Sequence, residues 1–259
     1  MTTAAAVGRA SSSLPASGWR VALALLWVEL RLLARRPENL LVSVAVPVAV
    51  LGFLGAVPIV PGTGPQAIDR LLPGTFALAV IAAGFVNLGI ATAYERSYGV
   101  LKRLGAAPIS MRPVVLAKVA AVLAVVALTM TALAGVGWVL GWRPTGGWPG
   151  IFGAGALLGT AAFAGLGLGL AGLLRGEAML AVANGLFVVF TLFGGVLVPA
   201  SELPGYLGDV ARALPSSALV DAFRAGLGDP SIDWLRALAV LGGWSIGAGL
   251  LAIVAFRWD

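Results

Sequence analysis

Side chains able to do chemistry are sparse in this chain. Within its apolar runs the polar groups are Asn87, Asn184 and a scatter of Ser and Thr: Ser43, Thr75, Thr92, Thr129, Thr131, Thr160, Thr191 and Ser245. Asn184, Phe187, Thr191 and Gly194/Gly195 fall near one face at helical spacing. Phe85, Leu88 and Thr92 line one face of an earlier run, with Asn87 at its edge. An apolar wall carrying amides and phenyl rings suits a hydrophobic or amphipathic cargo. The same amides suit interhelical hydrogen bonds equally well. The hydroxyls more often satisfy backbone carbonyls than act as nucleophiles.

The missing groups exclude more. The chain has 0 His and 0 Cys, which removes the Ser-His-Asp triad, imidazole proton relays, thiolate chemistry, iron–sulfur clusters and the usual zinc sites. No pair of carboxylates lies inside an apolar run, which argues against intramembrane hydrolysis and ion-coupled transport. Nothing matches G-x-x-x-x-G-K-[ST], so no nucleotide cradle is expected. No catalytic residue and no metal site is expected, and the chain reads as a non-enzyme.

The remaining chemistry is surface chemistry. Residues 95–112 carry Glu95, Arg96, Lys102, Arg103 and Arg112 around Tyr98, Val100, Leu101 and Leu104. The spacing predicts a short amphipathic helix over 95–104, ended by Gly105 and Pro108. Such a helix can rest on anionic headgroups or insert into a groove on a partner protein.

These residues must be positioned by elements whose solvent is lipid. Apolar types make up 59% of the 259 residues and charged types 11%, against about 25% charged in soluble domains. Disorder requires the opposite balance. A helix needs about 20 mainly apolar residues to cross the bilayer, and six stretches qualify: about 40–57, 72–94, 114–140, 150–174, 178–198 and 235–256. Lys118 and Arg236 lie near the starts of the third and sixth, where each can snorkel to the interface. With the N-terminus inside, 12 of the 17 Lys and Arg face the cytoplasm. This predicts both termini cytoplasmic. In this setting the net charge of +6 marks membrane sidedness rather than nucleic-acid binding.

Residues 18–36 are too short and too charged to span. They predict a helix lying in the interface, with Trp19, Leu23, Leu26, Trp27, Leu30 and Leu33 on one face and Arg20, Arg31 and Arg35 leaning away. Residues 1–17, small and polar with no apolar core, read as a flexible cytoplasmic tail rather than a signal peptide. Residues 18–259 read as one membrane domain.

On the predicted outside, Leu203, Tyr206, Leu207, Val210 and Leu214 recur at helical spacing until Pro215. Ser216 or Ser217 can cap a second helix that ends at Gly228, with Asp221 and Arg224 spaced to pair. Two short re-entrant helices are expected here. Gly155, Gly159, Gly165 and Gly169 lie at small-xxx-small spacing and predict close helix packing, as do Gly243 and Gly247.

These patterns resemble a family. Residues Glu95 to Ser110, ERSYGVLKRLGAAPIS, are similar to the segment E-x-x-x-G-T-L-x-R-L-x-x-x-P-[LI]-S of the membrane subunits of type-2 ATP-binding-cassette (ABC) exporters, the kind found in bacterial drug and antibiotic-resistance efflux; Val100 replaces the usual Thr. Gly194 to Pro199, then Leu203-Pro204 and Leu214-Pro215, resemble the family's G-x-x-x-P, L-P, L-P run. The resemblance implies an all-α permease of six spans in the bacterial cell membrane, paired with an identical or paralogous permease. It implies a separate cytoplasmic ATPase that binds ATP and Mg. Glu95, Arg96, Gly99, Leu101, Lys102, Arg103 and Leu104 would form a coupling helix. Phe85, Asn87, Asn184, Phe187 and Thr191 would lie on the substrate path, and Pro199, Leu203, Pro204 and Pro215 would belong to an outer gate. The competing classes are an ATPase-independent carrier or channel and a non-transporting membrane scaffold.

Overall fold

A computed structural model describes residues 18–35, 37–56, 65–105, 111–144, 146–195 and 205–255. The described residues are almost entirely helical and contain no strand. Helix α1 is Gly18–Ala34 and α2 is Pro37–Ala56. Helix α3 (Pro65–Ile81) continues through a π-helical turn (Ala82–Asn87) into α4 (Leu88–Ser97). Then follow α5 (Val100–Gly105), α6 (Met111–Val139), α7 (Pro149–Leu173), α8 (Gly176–Phe193), α9 (Tyr206–Ala213), α10 (Pro215–Gly226) and α11 (Trp234–Ala255).

Five helical stretches among the described residues are long and apolar enough to cross a bilayer: Ile68–Ser97, Arg112–Val139, Pro149–Leu173, Gly176–Phe193 and Trp234–Ala255. The first expected span coincides with α2, whose apolar part Ser43–Gly55 is shorter.

Helix α7 is the axis of the fold. Pro149 occupies its first turn, where a missing N–H costs nothing. Its most extensive contact is with α11, and it also packs on α10, α4 and the π turn. The glycines explain how. A Cβ on Gly165 would sit 2.8 Å from a backbone carbon of Ala248. One on Gly167 would sit 2.9 Å from the carbonyl oxygens of Gly84 and Phe85. Only a residue without a side chain permits such an approach, as the small-residue spacing of this helix anticipates. Gly243 and Gly247 differ: nothing lies within 4 Å of a Cβ added at either. Their spacing therefore does not mark a helix contact within this chain.

Three local expectations are corrected. The helix expected over 95–104 is divided, because α4 runs on to Ser97 and Gly99 turns the chain at φ +70 before α5 begins. That left-handed conformation suits glycine. The second outer helix is not capped by Ser216 or Ser217. Leu214 is its extended N-cap, Pro215 takes its first position, and both serines are buried inside it. Asp221 and Arg224 form no ion pair; the i,i+3 pair on this segment is Asp209–Arg212 at 2.9 Å.

Candidate functional site

At one end of the bundle, α4 delivers Tyr94, Glu95 and Arg96 to the ends of three other helices. Lys118, one side of whose helix faces α1 and α4, is 4% exposed. Its Nζ lies 2.8 Å from Glu95 Oε2 and 3.1 Å from Glu29 Oε1 of α1. The expectation that Lys118 snorkels outward is overturned. Two carboxylates from other helices pair with it there, as an ammonium taken out of water requires. Arg96 Nη1 donates to the carbonyl of Ala171 at 2.9 Å and also to that of Gly172. It thereby caps the negative end of α7. Gly176, the first residue of α8, packs against the Tyr94 ring.

Of the seven residues expected to couple to an ATPase, Glu95 and Arg96 are therefore engaged within the chain. Lys102 and Arg103 are exposed on α5, with Tyr98 and Val100 exposed beside them. Gly99 is the turn between the two groups. Leu101 and Leu104 belong to α5, but their side chains lie outside the described residues.

Within the bundle, Phe85 and Asn87, two residues apart in the π turn, point to opposite sides. Phe85 is wholly buried; its ring meets Phe190 edge-on at 5.7 Å, and Phe190 meets Phe163 at 5.3 Å. It stands behind the wall rather than on it. Asn87 is exposed and donates from Nδ2 to Ser43 Oγ of α2 at 3.2 Å. Asn184 is exposed on α8 and donates to the Leu180 carbonyl at 2.8 Å, and Thr191 Oγ1 donates to the Phe187 carbonyl at 2.7 Å. Phe187 is half-buried. Each amide thus makes one helix contact through Nδ2, while α8 presents Leu180, Val188 and Leu192 outward.

At the other end, Pro199, Leu203 and Pro204 lie outside the described residues. Pro215 is buried at the head of α10, which packs against α7, α11 and α3. The segment is held from several sides. Trp244 Nε1 donates to the Ala213 carbonyl at 2.9 Å, and Trp148 N–H donates to the Gly226 carbonyl at 3.0 Å. Burial raises the Asp221 carboxyl above its ordinary value, against the pull of Arg224 and Arg236. No group of His, Cys, Asp or Glu able to hold a metal occurs among the described residues.

Sequence reasoning missed the Glu29–Lys118–Glu95 cluster. Its signal was present: one cation in an apolar run and one acid in the middle of an interfacial helix, each out of place alone.

The family model described as ABC-2 type transporter matches residues 20–227. No curated protein matches the sequence. The chain belongs to the ABC-2 type transporter family and is a multi-pass membrane permease.

Proposed function

We propose that this permease is the membrane half of an ATP-driven exporter whose engine is a separate cytoplasmic ATPase carrying ATP and Mg. The observation that carries the reading is the build of the α4–α5 corner. Helix α5 projects Lys102 and Arg103 beyond a Gly99 turn. The helix behind it is pinned by Glu95 to Lys118 of α6, which also holds Glu29 of α1, and by Arg96 to α7. A short basic helix suits a groove with acidic and apolar walls. A push on it reaches three other helices through charge-assisted bonds rather than dissipating in a flexible loop.

In this reading α2 is the first of six spans, both termini are cytoplasmic, and α1 lies at the bilayer surface with Trp19 and Trp27 in the headgroup layer. A second permease, identical or paralogous, faces the outward side of α8 and α2. Cargo passes between them, a hydrophobic or amphipathic molecule such as a drug or lipid-like compound, along a wall that includes Asn87, Asn184, Phe187 and Thr191. Helices α9 and α10 close the outer end. ATP-driven closure of the ATPase pair then switches access from one face to the other by differential nucleotide affinity.

The test is co-purification of the ATPase. Arg103→Asp should leave insertion and yield of the permease unchanged and reduce recovered ATPase at least tenfold, since a charge is reversed at a docking surface (about 1.4 kcal/mol per decade). Recovery at the wild-type level would sink the assignment of α5.

A further inference from the structure

A cleft of about 580 Å³ opens at the outer end of the bundle, between α3, α6 and the first turns of α7. Its floor is aromatic and rigid. Phe76 and Phe152 meet edge-on at 5.4 Å, and Phe152 in turn packs on Phe223 at 4.8 Å. Met130 and Ala134 of α6 form one side. Gly153 of α7 leaves a dent, with nothing within 4 Å of a Cβ added there.

A charge stands next to the rim in the chain. Arg143 lies between Trp142 and Pro144, which both line the cleft. Its guanidinium stacks on the Trp138 ring at 4.2 Å, and Nη1 donates to the carbonyls of Trp138 and Trp142 at 2.7 Å each. These contacts hold the group in place while leaving most of its five N–H donors unused. None of the ion pairs among the described residues involves it. An uncompensated cation held against Trp138, its own chain neighbours Trp142 and Pro144 lining an apolar slot, matches a molecule with an anionic head and a hydrocarbon tail.

We propose that this cleft is a binding site for an anionic phospholipid of the surrounding bilayer, phosphate on Arg143 and acyl chain along Phe76, Phe152 and Gly153.

The test is native mass spectrometry of the full-length permease in detergent, titrated with equal amounts of phosphatidylglycerol and phosphatidylcholine. Wild type should retain phosphatidylglycerol over phosphatidylcholine by about fivefold, as expected for one arginine near a lipid phosphate. Arg143→Gln should bring that ratio close to one, and Arg143→Lys should keep part of it. Gly153→Leu, whose Cβ meets nothing within 4 Å and whose side chain fills the dent, should reduce retention of both lipids. Ala134→Leu does the same from α6 should the first variant fail to fold. An unchanged ratio in Arg143→Gln overturns the proposal. So does full retention in the filled variants. If the filled variants convert a dimer to monomer with bound lipid unchanged, the face belongs to a second copy and the lipid assignment falls.

Discussion

Removing the charge of Lys118 would leave Glu29 and Glu95 facing each other with less than a third of either side chain exposed. Breaking a buried pair by deleting one partner costs more than replacing the whole group. Lys118→Met should therefore lower stability by about 3 kcal/mol, at the low end of the range because both carboxylates keep some solvent. Adding Glu29→Gln and Glu95→Gln should restore most of that loss. Thermal unfolding in detergent checks both; an unchanged midpoint in the single variant would show that the cluster holds nothing. Asp221 carries the opposite sign. Its folded carboxyl titrates above the ordinary 3.8, chiefly through burial. The folded state then holds its proton more tightly than the unfolded one, so stability falls as pH rises through that window. Asp221→Asn should raise the unfolding midpoint at pH 7, and the gain should shrink as the pH is lowered towards 3.8. A gain that does not vary with pH would refute the linkage.

At the scale of elements, glycines of identical spacing do different work. Gly165 is pressed against the backbone of Ala248, whereas Gly243 meets open space. Gly165→Leu should force α7 and α11 apart and cost at least about 1–3 kcal/mol of overpacking. Gly243→Leu should be neutral or stabilising by up to about 1 kcal/mol, since leucine is the better helix former. Unfolding measured on both separates the cases, and equal losses would contradict the packing. The α4–α5 corner teaches a related lesson. Its motif reads as one amphipathic helix, yet the positive φ of Gly99 divides it into an anchored end and a projecting end.

For the whole molecule, the distribution of cations supports an N-terminus inside, and cysteine labelling can test it because the chain has no native cysteine. Ser216 would be a natural outer reporter on sequence grounds, but it is fully buried. Ser231 is exposed at the same end, and Ser97 is exposed at the other. In intact cells only Ser231→Cys should react with an impermeant thiol reagent. Labelling of Ser97→Cys alone would invert the orientation.

Composition and helical periodicity were enough to point to a lipid-embedded chain built on helices, because burial in hydrocarbon demands long apolar runs that are visible one residue at a time. The 95–110 motif and the proline run were enough to point to the family. The small-residue stripe of α7 was legible too, since spacing along one helix reports one face. Which face meets which neighbour was not. Lys118 is 89 residues from Glu29 in sequence, and no local pattern links two such positions. Likewise Phe85 and Asn87, two residues apart, stand on opposite sides of their helix, and only packing decided that Phe85 is the buried one and Asn87 the exposed one. Pairings and directions of this kind arise only when the helices pack, because a buried charge finds its partner in space and not along the chain.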